Sequence, residues 1–133
     1  MPESSETQLI GSLKKLIEWN QDKCTKLSAG LLTAPDPSWS LGNCDDVFQS
    51  AAMIKVANDT IKSLYDAEDK GVSESTRIEF LIDRYQHEIM NKARWGQRSA
   101  SVTSNLMDQC RLSSLVEIVE ILVGHRNNLV KTA

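Results

Sequence analysis

The sequence predicts an all-α domain, an antiparallel bundle of four to five helices whose last helix is apolar and either central or at an oligomer interface. Two heptad stripes carry most of that prediction. One runs through Ile10, Leu13, Ile17, Asn20, Cys24 and Leu27, the other through Val47, Ala51, Ile54, Asn58, Ile61 and Tyr65. Both alternate steps of three and four residues, the signature of a helical seam. A third observation is the segment from Leu115 onward. Its polar positions, Glu117, Glu120, Gly124 and Asn128, fall on one narrow strip, and every other side is rich in Leu, Ile and Val. Such a helix needs covering on most of its circumference. With 133 residues the chain suits a single domain, 1–133, with one core. Aromatic residues make up only 5%, so aliphatic side chains must fill that core.

The elements follow in order. Residues 1–4 read as a flexible N-terminus. Ser5 followed by Gln8 fits a capping box opening the first helix, in which hydroxyl and amide satisfy each other's backbone. Gly30 is its expected stop, because glycine takes the left-handed conformation cheaply. Trp19 flanks the seam and is expected to cover its edge. Residues 31–43 contain Pro35, Pro37, Trp39 and Gly42 and read as a connecting loop. A second helix is expected from Asn43 or Asp45 to about Asp69, ended by Lys70-Gly71. The third opens at Ser73 to Ser75, with Ile78, Leu81, Ile82, Tyr85 and Ile89 apolar, and can break near Gly96. A fourth segment spans Ser99 to Arg111. Ser114 and Glu117 form a further capping box that would start a last helix running to about Asn128. A β-strand over Val116 to Ile121 competes with it, but no second strand is evident to pair with it.

Composition excludes several function classes. A net charge of −3 and a pI near 5.4 oppose wholesale attraction to nucleic acid or anionic lipid. The most apolar run, Leu115 to Val123, contains two glutamates and is far shorter than the ~20 residues of a membrane crossing. The acidic start lacks the basic and apolar regions of a secretory signal. Cys24, Cys44 and Cys110 are odd in number and widely spaced, which suits reduced thiols in a cytoplasmic protein. No Cys-x-x-Cys pair occurs, and neither Glu117 nor Glu120 has a histidine three residues on, as di-metal bundles require. No metal or cofactor is therefore expected. His125-Arg126-Asn127 places histidine ahead of the arginine-asparagine pair, the inverse of the order in small helical ribonuclease domains, so no activity carries over. Phosphate loops, nucleophile elbows and zinc-protease helices are also lacking.

Two polar features remain. Asn20 and Asn58 interrupt their seams near mid-length and would bond each other, or a symmetry mate, to fix register or oligomer state, together with Leu115, Ile118 and Leu122 on the last helix. Arg84, Lys92, Arg94 and Arg98 surround Trp95, so residues 84–98 carry +3 while the rest carries −6. Guanidinium forks and an indole ring can hold an anion or a base.

The function expected from these observations is binding without catalysis: a small intracellular adaptor, regulator or assembly component that recognises a protein and self-associates as a homodimer or larger oligomer. A nucleic-acid role for the Trp95 cluster is the alternative, and an enzyme or small-ligand bundle using Tyr85, His87 and Glu88 is a second. The nucleic-acid reading predicts oligonucleotide binding that weakens with added salt and with Arg94→Ala and Arg98→Ala. A gel shift at low ionic strength measures it, and an unshifted oligonucleotide dismisses it.

Overall fold

Long amphipathic segments separated by only short breaks leave the chain little choice but to fold back on itself. A computed structural model describes residues 5–33, 37–95 and 102–132, with side chains at 8–27, 29, 46–68, 70–91 and 107–129. Among the described residues there are four helices and no strand: α1, Ser5–Thr33; α2, Pro37–Asp69; α3, Glu74–Trp95; and α4, Val102–Thr132. None is long and apolar enough to cross a membrane.

Several boundaries differ from those the sequence suggests. α1 begins at Ser5 as expected but runs through Gly30 to Thr33. A glycine inside a helix costs about 1 kcal/mol, which packing along a long helix outweighs. The expected loop at 31–43 shrinks accordingly, since 31–33 belong to α1 and 37–43 to α2. Pro37 takes the first helical position, where its missing N–H would have had no partner in any case. The fourth and fifth expected segments are one helix, α4, so residues 116–121 are helical and not a strand. Ser114 does not cap a new helix. Its hydroxyl donates to the Cys110 carbonyl at 2.7 Å, a bond made inside a continuing helix. Ser99 lies outside the described residues.

The α2–α3 turn forms as the sequence indicates. Gly71, at φ +76°, ends α2 in the left-handed conformation. Its N–H donates to the Glu68 carbonyl at 2.9 Å, and the Val72 N–H donates to the Ala67 carbonyl at 3.1 Å, which together make a Schellman cap. Ser73 then caps α3: its hydroxyl accepts from the Thr76 N–H, and its carbonyl accepts from the Arg77 N–H. Arg77 also donates through its guanidinium to the Val72 carbonyl, closing the corner from inside.

All four helices supply one core. Leu13, Leu64, Ile78, Leu115, Ile118 and Leu122 are wholly buried in it. α4 packs against each of the other three helices. α3 and α4 run in opposite directions, because Glu74 pairs with His125 at one end and Glu88 with Arg111 at the other. Leu115, Ile118 and Leu122, proposed above for an oligomer interface, have no exposed surface in the single chain, so a second copy could reach them only by unfolding it.

The first seam stands over its first four positions, where Ile10, Leu13, Ile17 and Asn20 are buried, while Cys24 and Leu27 are half-buried. The second is rotated. On α2 the buried positions are Ser50, Met53, Val56, Ala57, Thr60 and Leu64; apart from Val56 each lies one residue ahead of the expected stripe and hence about 100° around the helix. Ala51, Asn58 and Tyr65 are consequently exposed, while Ile54 and Ile61 pack only on the core's margin. The expected Asn20–Asn58 bond does not form. Asn20 instead donates to the Leu16 carbonyl at 2.8 Å, one turn back along its own helix. Trp19 does not cover the core edge either: it is 63% exposed, with the Lys23 ammonium 5.4 Å from its ring centroid.

These placements separate two substitutions. Ile118→Ala should lower unfolding free energy by about 2–5 kcal/mol through the cavity it leaves, whereas Asn58→Ala should change it by less than about 0.5 kcal/mol. Urea midpoints for the two variants give both values.

Candidate docking groove between two helices

Along α4 a single face passes through Met107, Arg111, Leu115, Ile118 and Leu122, in steps of three and four residues. Its later part is wholly buried, but Met107 is 59% exposed. Beside Met107 the facing stretch of α2 offers Phe48, Ala51, Ala52 and Lys55, which are neighbours on one face at helical spacing. Between the two walls lies a recess of about 320 Å³ lined by Phe48, Ala51, Ala52, Lys55, Met107, Asp108, Cys110 and Arg111. Two alanines explain the hollow, because a methyl group is all that each contributes. Phe48, 46% exposed, and Met107 stand up on either side of it.

Polar groups hold the walls in place. Gln49 donates through Nε2 to the Ser114 hydroxyl at 3.3 Å, and the same nitrogen lies 3.5 Å from the Cys110 carbonyl, tying α2 to α4 directly behind the recess. Arg111 donates from both Nε and Nη2 to Glu88 Oε1, each at 3.2 Å, so its guanidinium is drawn toward α3 and its stem is left to line the groove. Lys55 meets Asp59 at 3.7 Å one turn along, an exposed pair that contributes little. The result is an apolar trough with charged margins, suited to apolar side chains from another chain and lacking the convergent polar groups that fix a small polar ligand.

The expected site residues are distributed differently. Arg84 is exposed on α3, Lys92, Arg94 and Trp95 lie in the last turn of α3 with side chains outside the described residues, and Arg98 lies outside them altogether. Tyr85, His87 and Glu88 are adjacent in sequence but not in role. Tyr85 is buried and 2.6 Å from the Thr60 hydroxyl, His87 is exposed, and Glu88 holds Arg111. Because Thr60 donates to the Val56 carbonyl at 2.8 Å, its oxygen is left to accept from the Tyr85 hydroxyl, giving a satisfied chain across the core. Glu74 meets His125 at 3.3 Å and Glu79 meets Arg126 at 3.1 Å, so both members of the His125-Arg126 pair serve to join α3 to α4. Among the described residues no three of His, Cys, Asp and Glu gather as a metal would require.

The seam pattern does not reveal the groove, because it places Ala51 in the interior. The usable signal was the pair Ala51-Ala52 between Phe48 and Lys55, small residues at the centre of a large-residue face. Compared with known proteins, the chain matches no family model, and no curated protein or solved structure shows significant similarity to it.

Burial pushes the Tyr85 hydroxyl above its ordinary value of 10.0, against a smaller opposing effect of the Thr60 hydrogen bond. The folded state therefore keeps its proton where the unfolded state begins to lose it. The associated stability is complete below about pH 10 and drains away as pH rises above that value, by up to about 1.4 kcal/mol per pH unit. Tyr85→Phe removes this dependence, so chemical denaturation at pH 9, 10 and 11 should show a shallower decline for the variant than for the native chain.

Proposed function

We propose that the protein is a non-catalytic protein-binding module, an antiparallel four-helix bundle that takes apolar side chains of a partner chain into the groove between α2 and α4. One observation carries the reading. The face of α4 that is wholly buried at Leu115, Ile118 and Leu122 emerges at Met107 beside a hollow with an apolar floor. Apolar surface left in a concave, charge-rimmed setting gains most from a partner that dehydrates it. An amphipathic helix presenting residues at i, i+3, i+4 and i+7 has the matching shape. The reading puts the module in a reducing compartment, the cytoplasm, which suits three cysteines that are odd in number and widely spaced.

Selection from a displayed library of amphipathic helical peptides tests the proposal. Binders should carry apolar residues at helical spacing, and their affinity should fall about tenfold or more for Met107→Lys and for Ala51→Trp, which charge and fill the groove. Selected peptides that bind both variants as well as the native chain, or no enrichment at all, would overturn it.

A further inference from the structure

We infer that the bundle works as two cooperative parts: a closed apolar half, and an end that opens by itself while the rest stays folded. That end holds the last turns of α1 and α3 and the first turns of α2 and α4. Three contacts bring these turns together: the Cys24 thiol 3.9 Å from the Val47 carbonyl, Gln49 on Ser114, and Arg111 on Glu88. Apolar burial stops short of it on every helix. The last buried apolar side chains toward it are Ile17 on α1, Met53 on α2, Tyr85 on α3 and, Cys110 apart, Leu115 on α4. Buried polar residues come next, Asn20, Ser50 and Ser114. The helices then continue for roughly three turns each, to Thr33, from Pro37, to Trp95 and from Val102. Among the described residues of those turns only Cys110 is buried, while Phe48, Met90 and Met107 stand exposed. Parts of a protein with few buried apolar contacts open at the lowest free energy.

Two polar atoms bias the same equilibrium. The Ser50 hydroxyl, in a residue 1% exposed, and Glu88 Oε2 are buried without a hydrogen-bond partner. Both regain water when the end opens, so the closed form alone carries the cost of leaving them unpaired. Against this stands a light latch. Gln49 Nε2 reaches the Ser114 hydroxyl at 3.3 Å and the Cys110 carbonyl at 3.5 Å, and Arg111 holds Glu88 Oε1 at 3.2 Å with both side chains a third exposed. Phe48 and Met107, which stand on either side of the recess, belong to α2 and α4 at this end. Opening therefore widens the recess and uncovers the Cys110 thiol, in a residue 5% exposed when the end is shut. The inference holds whatever the recess binds.

Hydrogen exchange of the full chain, read by mass spectrometry in rising urea below the unfolding transition, tests the inference. Amides of residues 21–27, 46–49, 86–91 and 107–113 should exchange about tenfold or more faster than those of 53–64 and 115–122, and with weaker dependence on urea. Ser50→Ala should slow exchange at the opening end by about fivefold, because it removes the unpaired hydroxyl, and Gln49→Ala should speed it by releasing the latch. Ile118→Ala weakens the closed half, so it should speed exchange over 53–64 and 115–122 and leave the opening end unchanged. Alkylation of Cys110 by iodoacetamide, located by peptide mapping, should keep pace with the opening end. A common exchange rate and urea dependence along all four helices overturns the inference. So does an Ile118→Ala that speeds both sets alike; should that variant not fold, the native chain and Gln49→Ala decide by the same readout.

Discussion

The fold depends on one constraint: the apolar face of α4 must be enclosed, and no single helix can do it. Leu115, Ile118 and Leu122 lie at zero exposure because α4 meets the other three helices. Each fully buried aliphatic side chain contributes about 1.5–3 kcal/mol of transfer free energy, so this face outweighs local preferences elsewhere. It keeps α4 continuous through Ser114 despite the capping-box sequence there.

Most polar groups that enter this interior have partners nearby, the buried Ser50 hydroxyl being an exception. Tyr85, Thr60 and the Val56 carbonyl form a relay that joins α3 to α2. Gln49 and Ser114 join α2 to α4. Asn20 turns back to its own helix. A buried polar atom left unpaired costs about 1–3 kcal/mol, and pairing removes most of that cost while restricting how the helices can slide. Ion pairs between α3 and α4 stand at the edge of the same contact and add direction more than strength.

The groove arises where enclosure runs out. At Met107 the α4 face continues in the direction it takes through the core, yet the wall opposite is made of alanines. The same hydrophobic effect that closes the bundle is left unsatisfied at that point, within reach of another chain. On the proposed reading, binding by this route would need no chemistry at the site, only shape and the charges at its margin.

Much of this was legible in one dimension. The all-helical class, the buried faces of α1 and α3, the caps at Gly71 and Ser73 and the burial of Tyr85 follow from periodicity and turn chemistry, both local properties of the chain. Rotation of α2 was not legible. Its apolar residues, among them Met53, Ile54, Val56, Ala57, Ile61 and Leu64, surround the helix so broadly that two stripes 100° apart are nearly equivalent by period. Only contact with the other three helices chose between them, since the stripe through Met53 and Leu64 packs deeper and lets Thr60 meet Tyr85. That choice turned Asn58 and Ala51 outward and so created the groove. The sequence by itself determined that helices form and roughly where they turn, because those energies lie within a few residues. Which face each helix buries, and which apolar surface is left open, was decided by tertiary packing, because those energies depend on side chains brought together from distant parts of the chain.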